Sequence, residues 1–306
     1  MIYEYALEPE MVAAWGDRSN YRFFIREFGL GSGRLVSRYP KKWAKKVWES
    51  FVPSSEMNKK RLTELLVLMQ ETMIKRKDFF WDDNRGNWLE NALLEHARHP
   101  FKLIIARNNP GNRPEILVEH ALDDTPFCPD WDIPHGDNVK RNAPEMSAAI
   151  KPMLGRCRWV KFIDPHTSPG RHDYRKSLRA FLKILAEKRP VGPPESVEIH
   201  VGLHGGTAEF LRKSYEEIIP AGLKVTLFQW REKPDCQQLH NRYILTDLGG
   251  VSFHHGLDTS ENRTTFDDIN RLDLDQYKLH CKQFDTTAPA FDRAADPLEI
   301  VGRLGG

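Results

Sequence analysis

The spacing of apolar and polar positions changes near the middle of the 306-residue chain. In the first half, apolar residues recur every three or four positions. In residues 40–51, for example, Trp43, Val47, Trp48 and Phe51 lie at helical spacing, with two lysines between Trp43 and Val47. Residues 54–77 have the same helical period, and they begin with serines suited to capping a helix. These patterns predict a mainly helical N-terminal domain.

In the second half, short strand-like apolar runs alternate with amphipathic segments. Thr207 and Gly222 are suited to cap the two ends of one predicted helix. Leu248 and the two glycines that follow it predict a hairpin turn. Strands that alternate with helices of this length are typical of an α/β layer structure. The predicted strands cover residues 158–164, 196–203, 224–230, 239–247 and 249–258.

A segment rich in Asp, Pro and Gly separates the two patterns. Such composition favours a loop or linker. We therefore predict a helical domain over 1–122, a linker over 123–143 and an α/β domain over 144–306.

Composition and motifs exclude several classes of protein. No run of about 18 apolar residues occurs, and the N-terminus lacks the apolar core of a secretory signal, so we expect a cytoplasmic protein with no membrane partner. Cys128, Cys157, Cys236 and Cys281 form no CxxC pair, which argues against a zinc knuckle or a disulfide framework. The chain has no GxSxG, GxxxxGK or HExxH motif.

The formal net charge of +2 hides an uneven distribution. Residues 26–77 carry thirteen Lys or Arg against five Glu, and residues 151–189 carry eleven against three acids. Residues 258–306 carry six Lys or Arg against ten acids. The two basic segments indicate a surface for a polyanion, with nucleic acid, DNA or RNA, as the expected partner. Solvated helix faces with acids nearby in space are the alternative.

The stretch LHNRYILTD, residues 239–247, contains the strongest candidate chemistry. If it is a strand, the side chains alternate, so His240 and Arg242 share one face, about 6–7 Å apart. A guanidinium can bind phosphoryl oxygens bidentately. An imidazole can attack phosphorus or donate a proton. The pair is therefore suited to phosphate chemistry.

His240, Arg242 and Asp247 resemble the HxKxxxxD motif of the phospholipase D superfamily, with Arg where that family usually has Lys. The order of predicted elements and the segments FIDPHTSP and GLD are similar to bacterial members from anti-phage defence loci. The resemblance covers about residues 145–290. It implies that the second half is one phospholipase-D-like α/β/α sandwich repeat.

The resemblance also implies roles for individual residues. His240 would be the nucleophile that forms a phosphohistidine, Arg242 the phosphate clamp and Asp247 a supporting residue, with no metal or other cofactor. The family's later Gly-Ser-x-Asn element is matched loosely by the residues after His255. The candidate catalytic residues are His240, Arg242, Asp247, Asp258 and Glu261, and the candidate substrate-binding residues are Asn241, Asp164, His166 and Gly256.

The chain contains one copy of the motif, whereas a complete site in the family needs two. We therefore expect a homodimer in which two copies of His240 face each other. The implied function is a metal-independent nuclease, an effector in a prokaryotic anti-phage defence system, which could involve other proteins of that system.

Three alternatives remain open at this stage. The chain could be a non-catalytic subunit that binds phosphate, nucleic acid or partner proteins in a defence complex. It could be a lipid phosphodiesterase. His254 and His255 with Asp258 could also bind a metal, although adjacent strand residues point to opposite faces.

Overall fold

The computed structural model describes residues 1–119, 131–203, 206–234, 238–262 and 264–305. The predictions for Cys128 and Cys236, and for the linker up to residue 130, lie outside these ranges. The chain forms two compact units, each with its own sheet and helices, so the fold is mixed α/β. The N-terminal unit comprises Ile2–Ile133 and Arg189–Gly192, and the C-terminal unit comprises Met1, Pro134–Lys188 and Pro193–Gly306.

The N-terminal unit contains a parallel sheet that the helical pattern did not predict. Its order is β2-β1-β3-β4. Tyr5 and Leu7 of the first strand pack in one apolar cluster and Ala6 in another, so both faces of the sheet are covered. The strands are β1 (Tyr3–Leu7), β2 (Arg34–Val36), β3 (Ile104–Ala106) and β4 (Ile116–Val118).

Three of the helices of this unit, those that follow Asp17, Ser55 and Asn87, begin at capping side chains. Ser55 accepts a hydrogen bond from the backbone N–H of Asn58, which confirms the predicted serine cap. The short segment Arg189–Gly192 belongs to this unit, and the Pro190 carbonyl accepts hydrogen bonds from the backbone of residues 77 and 78. The helices are α1 (Pro9–Ala13), α2 (Arg18–Glu27), α3 (Trp43–Ser50), α4 (Glu56–Thr72) and α5 (Trp88–Arg98), with a 3-10 turn at Ala14–Gly16.

The sheet of the C-terminal unit is mixed. Its central strands are parallel, and antiparallel strands extend it on both sides in the order β12-β8-β7-β6-β9-β10-β11-β5, with β13 also paired to β8. The parallel strands are β6 (Trp159–Ile163), β7 (Ser196–Gly202) and β8 (Lys224–Arg231). The antiparallel strands are β5 (Gly136–Lys140), β9 (Tyr243–Thr246), β10 (Gly249–Phe253), β11 (Phe266–Arg271), β12 (Asp292–Arg293) and β13 (Leu298–Val301).

Helices pack on both faces of this mixed sheet. Phe181 of α7 contacts Phe162 on one face, and Tyr277 of α9 bonds to the Thr246 carbonyl from the other. None of the helices in the described ranges is long and apolar enough to cross a membrane. The helices are α6 (Ala143–Leu154), α7 (His172–Ala186), α8 (Ala208–Glu216) and α9 (Leu274–Gln283).

Three local predictions need correction. The linker expected over 123–143 ends in β5, because Gly136–Lys140 pairs with β11. Thr207 caps α8 as predicted, but the helix ends at Glu216 because the chain turns there, so Gly222 is not its C-cap. The hairpin is present, but its two-residue turn is Asp247–Leu248 and the glycines begin β10.

Candidate functional site

Arg242 lies at the open end of the β9–β10 hairpin, one residue before β9 begins. Its carbonyl accepts a hydrogen bond from the Phe253 N–H at 3.1 Å, so the hairpin fixes its backbone. The side chain is half-buried, and its Nε is buried without a hydrogen-bond partner among the described residues. A buried guanidinium N–H that lacks a partner is costly and is well suited to an anionic oxygen.

Asp164 follows the carboxyl end of β6 and is almost completely buried. Its two carboxylate oxygens accept hydrogen bonds from the backbone N–H groups of His166 and Leu257, both at 2.9 Å. Burial raises the pKa of this carboxyl group, and these two bonds and the charge of Arg242 oppose the rise. Asp164 therefore fastens the loop after β10 to the end of β6.

Gly256 lets that loop approach the site closely. Its φ is +138°, a backbone conformation that residues other than glycine rarely adopt. A Cβ added there would lie 2.9 Å from Asp258 Oδ1, 3.3 Å from Asp164 Oδ2 and 3.9 Å from Arg242 Nε. Two carboxylates and one guanidinium therefore surround this glycine.

Asp258 is engaged by arginines from two other elements. Arg141, which precedes α6, binds one of its oxygens at 2.5 Å, and Arg171, which precedes α7, lies 3.6 Å from the other. Arg171 also pairs with Asp173. Asp258 therefore holds cationic side chains at the site and is not free to act as a base.

His166 and His240 form a pair of exposed imidazoles. Their ring centroids are 5.6 Å apart, with the rings nearly perpendicular. The sequence provided the residues but not this contact, because they lie 74 positions apart on different elements. The Asp164 carboxylate accepts a hydrogen bond from the backbone N–H of His166, and His240 lies at the open end of the hairpin. A single chain thus brings together two groups that can each transfer a proton.

Asp247 lies away from this cluster, at the other end of β9. Its carboxylate accepts hydrogen bonds from the backbone N–H of Arg158 at 2.7 Å and from that residue's Nε at 2.9 Å. Five residues of extended chain separate Asp247 from Arg242, roughly 16 Å. The catalytic role expected for Asp247 is therefore not supported by its position. It joins the hairpin to the start of β6.

Two further candidates, Glu261 and Asn241, are both exposed. Glu261 is exposed and makes no hydrogen bond or ion pair with any described residue. Asn241 is exposed and lines an open pocket of about 210 Å³ together with Arg242, His254 and Asp268. Asn241 is therefore placed to contact a ligand of Arg242.

The alternative of a metal at His254 and His255 required Asp258 as a third ligand, but the carboxylate that these two residues contact is that of Asp267. The backbone N–H groups of both residues donate to Asp267 Oδ1 at 3.0 Å, and burial raises the pKa of that carboxyl. Asp258, the third expected ligand, is bound by arginines. Over the described ranges, no group of three His, Cys, Asp or Glu side chains is arranged to hold a metal ion.

Sequence reasoning missed Arg141, Arg171 and Tyr174. Burial raises the pKa of the Tyr174 phenol, and Asp164 and Asp258 raise it further, so this hydroxyl group stays protonated at neutral pH. The sequence around these three residues contains only a weak indication that they belong to a site. Arg141 and Arg171 each stand one or two residues before a helix, but nothing in their local pattern points to a common site.

Comparisons with known proteins leave the family open. No protein-family model matches the chain, and no curated protein matches it significantly.

Proposed function

We propose that the C-terminal unit is a metal-independent phosphodiesterase of the phospholipase D type that acts on nucleic acid. The observation that carries this proposal is the contact between the imidazoles of His166 and His240, together with the unpartnered Nε of Arg242, two positions after His240. The charges of Arg242 and His166 both act on the Asp164 carboxylate. Cleavage of a phosphodiester by this route needs three groups: a guanidinium for its oxygens, a nucleophile for phosphorus and a proton donor for the leaving oxygen. The mixed α/β sheet that carries the hairpin supports the sandwich fold that the resemblance implies.

The proposed reaction has two steps. In the first, a His240 nitrogen attacks phosphorus, the bond to one ester oxygen breaks, and His166 in its protonated form gives that oxygen a proton. In the second, neutral His166 takes a proton from water, and the resulting hydroxide attacks the phosphohistidine. The P–N bond breaks, which releases a phosphomonoester and restores His240. Arg242 stabilises the negative charge on phosphorus in both steps.

The second imidazole has two possible sources. The single motif in the sequence led us to expect His240 of a second copy, and the homodimer stays a prediction. His166 offers a source within one chain, and we propose it as the proton donor. Measurement of the molecular mass in solution separates the two routes, because activity in a monomer excludes the dimer route.

The experiment that tests the proposal is cleavage of DNA and RNA by the purified protein in EDTA. We expect cleavage by the wild type, a loss of about a thousandfold or more in His240→Ala and Arg242→Ala, and a loss of about 10²–10⁴-fold in His166→Ala. His135→Ala is the matched control, because His135 is an exposed histidine of the same unit whose backbone, not its ring, contacts Arg271. Cleavage that requires added metal ions would contradict the mechanism.

A second candidate function is a non-catalytic subunit that binds phosphate or nucleic acid in an anti-phage defence complex. It is favoured by the His240 ring, which has no hydrogen bond to any carboxylate within the described part of the chain. A nucleophilic histidine is usually oriented by such a bond. Binding of an oligonucleotide that depends on Arg242, without cleavage of DNA, RNA or phosphatidylcholine, would favour this candidate. Turnover of phosphatidylcholine alone would favour a lipid phosphodiesterase.

A further inference from the structure

A dense group of cations lies on the N-terminal unit, around two adjoining open pockets of about 470 and 270 Å³. We call this group the lysine surface. Three lysines line both pockets, and the others each line one. Its members are Arg38, Lys41, Lys42, Lys45, Lys46 and Lys75.

Much of this positive charge is not compensated. Two acids, Glu49 and Asp83, line the pockets, and Glu49 pairs with Lys45 at 3.4 Å. Lys41, Lys42 and Lys75 are exposed, and no carboxylate of the described residues lies within 4 Å of them. Unpaired lysines that share a recess raise the local concentration of polyanions.

The lysine surface stands on a rigid base. Trp43 is completely buried, and its Nε1 donates to the Leu7 carbonyl at 2.7 Å. Its backbone N–H bonds to the Pro40 carbonyl at 2.8 Å, and Arg38 Nε bonds to the Lys41 carbonyl at 2.9 Å. Little backbone ordering is then required when a ligand binds.

Trp81 adds an aromatic group at the rim of the smaller pocket. Its ring is half-buried and packs edge-on against Tyr39, and its Nε1 donates to Asp83 at 2.7 Å. Lys46 Nζ lies 5.0 Å from the ring centroid. An indole fixed in this way beside a lysine is suited to stack on an unpaired base while the lysine meets a phosphate.

We propose that the lysine surface binds single-stranded nucleic acid, with phosphates in the two pockets and a base against Trp81. A bilayer would present its anionic headgroups as a flat array, whereas these cations line two recesses that a flexible strand can enter. The proposal shares the choice of nucleic acid with the proposed function. It rests on a different unit and on different side chains.

The test is fluorescence anisotropy of a short labelled single-stranded oligonucleotide, measured across salt concentrations with the full chain. Every protein carries His240→Ala, so that a failure to bind is distinguishable from a failure to cleave. Lys41→Gln/Lys42→Gln should weaken binding by about tenfold at about 0.1 M salt and reduce the salt slope by about 1.4. Trp81→Ala should weaken binding by at least about fivefold.

The matched control is Lys59→Gln/Lys60→Gln, which removes two exposed lysines of α4 that line neither pocket. It should keep the affinity of its parent. An equal loss in both double variants, or no loss in either, would overturn the proposal. So would binding to vesicles of phosphatidylserine and phosphatidylcholine that depends on Lys41 and Lys42 while the oligonucleotide does not bind.

Discussion

At the scale of single residues, the site depends on a balance of charge around Gly256. Arg242 keeps a buried Nε without a partner, while Asp164 accepts two backbone N–H groups and Asp258 is paired with arginines. Because the carboxylates already have partners, they do not neutralise Arg242 through a direct hydrogen bond. Arg242 also lines an open pocket, so its guanidinium remains available to an incoming phosphate.

The first residue-scale prediction concerns Gly256→Ala. The new methyl group would lie 2.9 Å from Asp258 Oδ1, at a φ of +138°. We expect a loss of about 1–3 kcal/mol in the free energy of unfolding, and a fall of at least about tenfold in cleavage or phosphate affinity. Urea unfolding and the cleavage assay measure the two effects.

Gly222→Ala is the control for backbone strain alone. Gly222 has a φ of +79°, but nothing lies within 4 Å of an added Cβ. This variant should lose stability and keep full activity. Equal activity in the two glycine variants would show that the space at Gly256 does not matter to the site.

At the scale of elements, the β9–β10 hairpin has two ends with different contacts. Its open end carries His240 and Arg242, and its turn carries Asp247, which binds Arg158 at the start of β6. Tyr277 of α9 also bonds to the Thr246 carbonyl near the turn, at 2.6 Å. Stability and chemistry should therefore respond to substitutions at opposite ends of one strand.

The element-scale prediction is that Asp247→Ala behaves unlike His240→Ala. Removing the carboxylate deletes its hydrogen bonds to Arg158, which is exposed and can bond to water instead, so the free energy of unfolding should fall by about 1 kcal/mol. Below the unfolding temperature, the rate of cleavage per folded molecule should not change. Thermal unfolding measures the loss of stability, and the cleavage assay measures the rate. The control Asp247→Asn keeps one acceptor oxygen and should lose less stability. A loss of activity in folded Asp247→Ala would restore the catalytic role.

Much of the C-terminal unit could be predicted from its elements. Strands β6, β7 and β8 have five to eight residues each, with apolar residues at largely alternating positions, so their period is readable. The sheet of the N-terminal unit could not be read, because β2, β3 and β4 have three residues each. Three residues do not define an alternation.

The residues of the site also differ in how far a local sequence pattern could predict them. His240 and Arg242 were predictable as a pair because they stand two positions apart in one local pattern, although the strand predicted over 239–247 begins only at Tyr243. Arg141 was not predictable, and neither was the contact between His166 and His240, because both depend on long-range strand pairing. Arg141 follows β5, which pairs with β11, and His166 follows β6. Such contacts depend on sheet order, which a local pattern does not contain.

At the scale of the whole molecule, buried titratable groups make stability depend on pH. His200 is completely buried in β7, where Glu198 lies 2.9 Å from its Nε2 and Trp230 Nε1 donates to its Nδ1 at 3.0 Å. Burial lowers the pKa of this imidazole, although Glu198 opposes the shift. The folded state therefore holds His200 in its neutral form.

The whole-molecule prediction is a loss of stability in mild acid. Below the unfolded pKa of about 6.5, the unfolded chain binds a proton that folded His200 does not bind, so the free energy of unfolding falls as pH falls. The fall continues until the lowered pKa of the folded state is reached. Urea midpoints at about pH 7.5 and about pH 5 should differ, and His200→Gln should reduce the difference. An unchanged difference would assign the effect to other groups.

The return of the chain at Arg189–Gly192 decides how the protein can be divided into fragments. A fragment that ends at Ile133 would lack the Pro190 carbonyl, which accepts from the backbone of residues 77 and 78 at 2.7 and 2.9 Å. It would therefore lose part of its own fold while retaining every residue of the lysine surface. Weak oligonucleotide binding by such a fragment would reflect the position of the cut. Oligonucleotide binding could be weak because the fragment is incompletely folded or because the lysine surface does not bind. A peptide of residues 189–192 added in trans, or a circular permutation that keeps this segment attached, would distinguish these two causes.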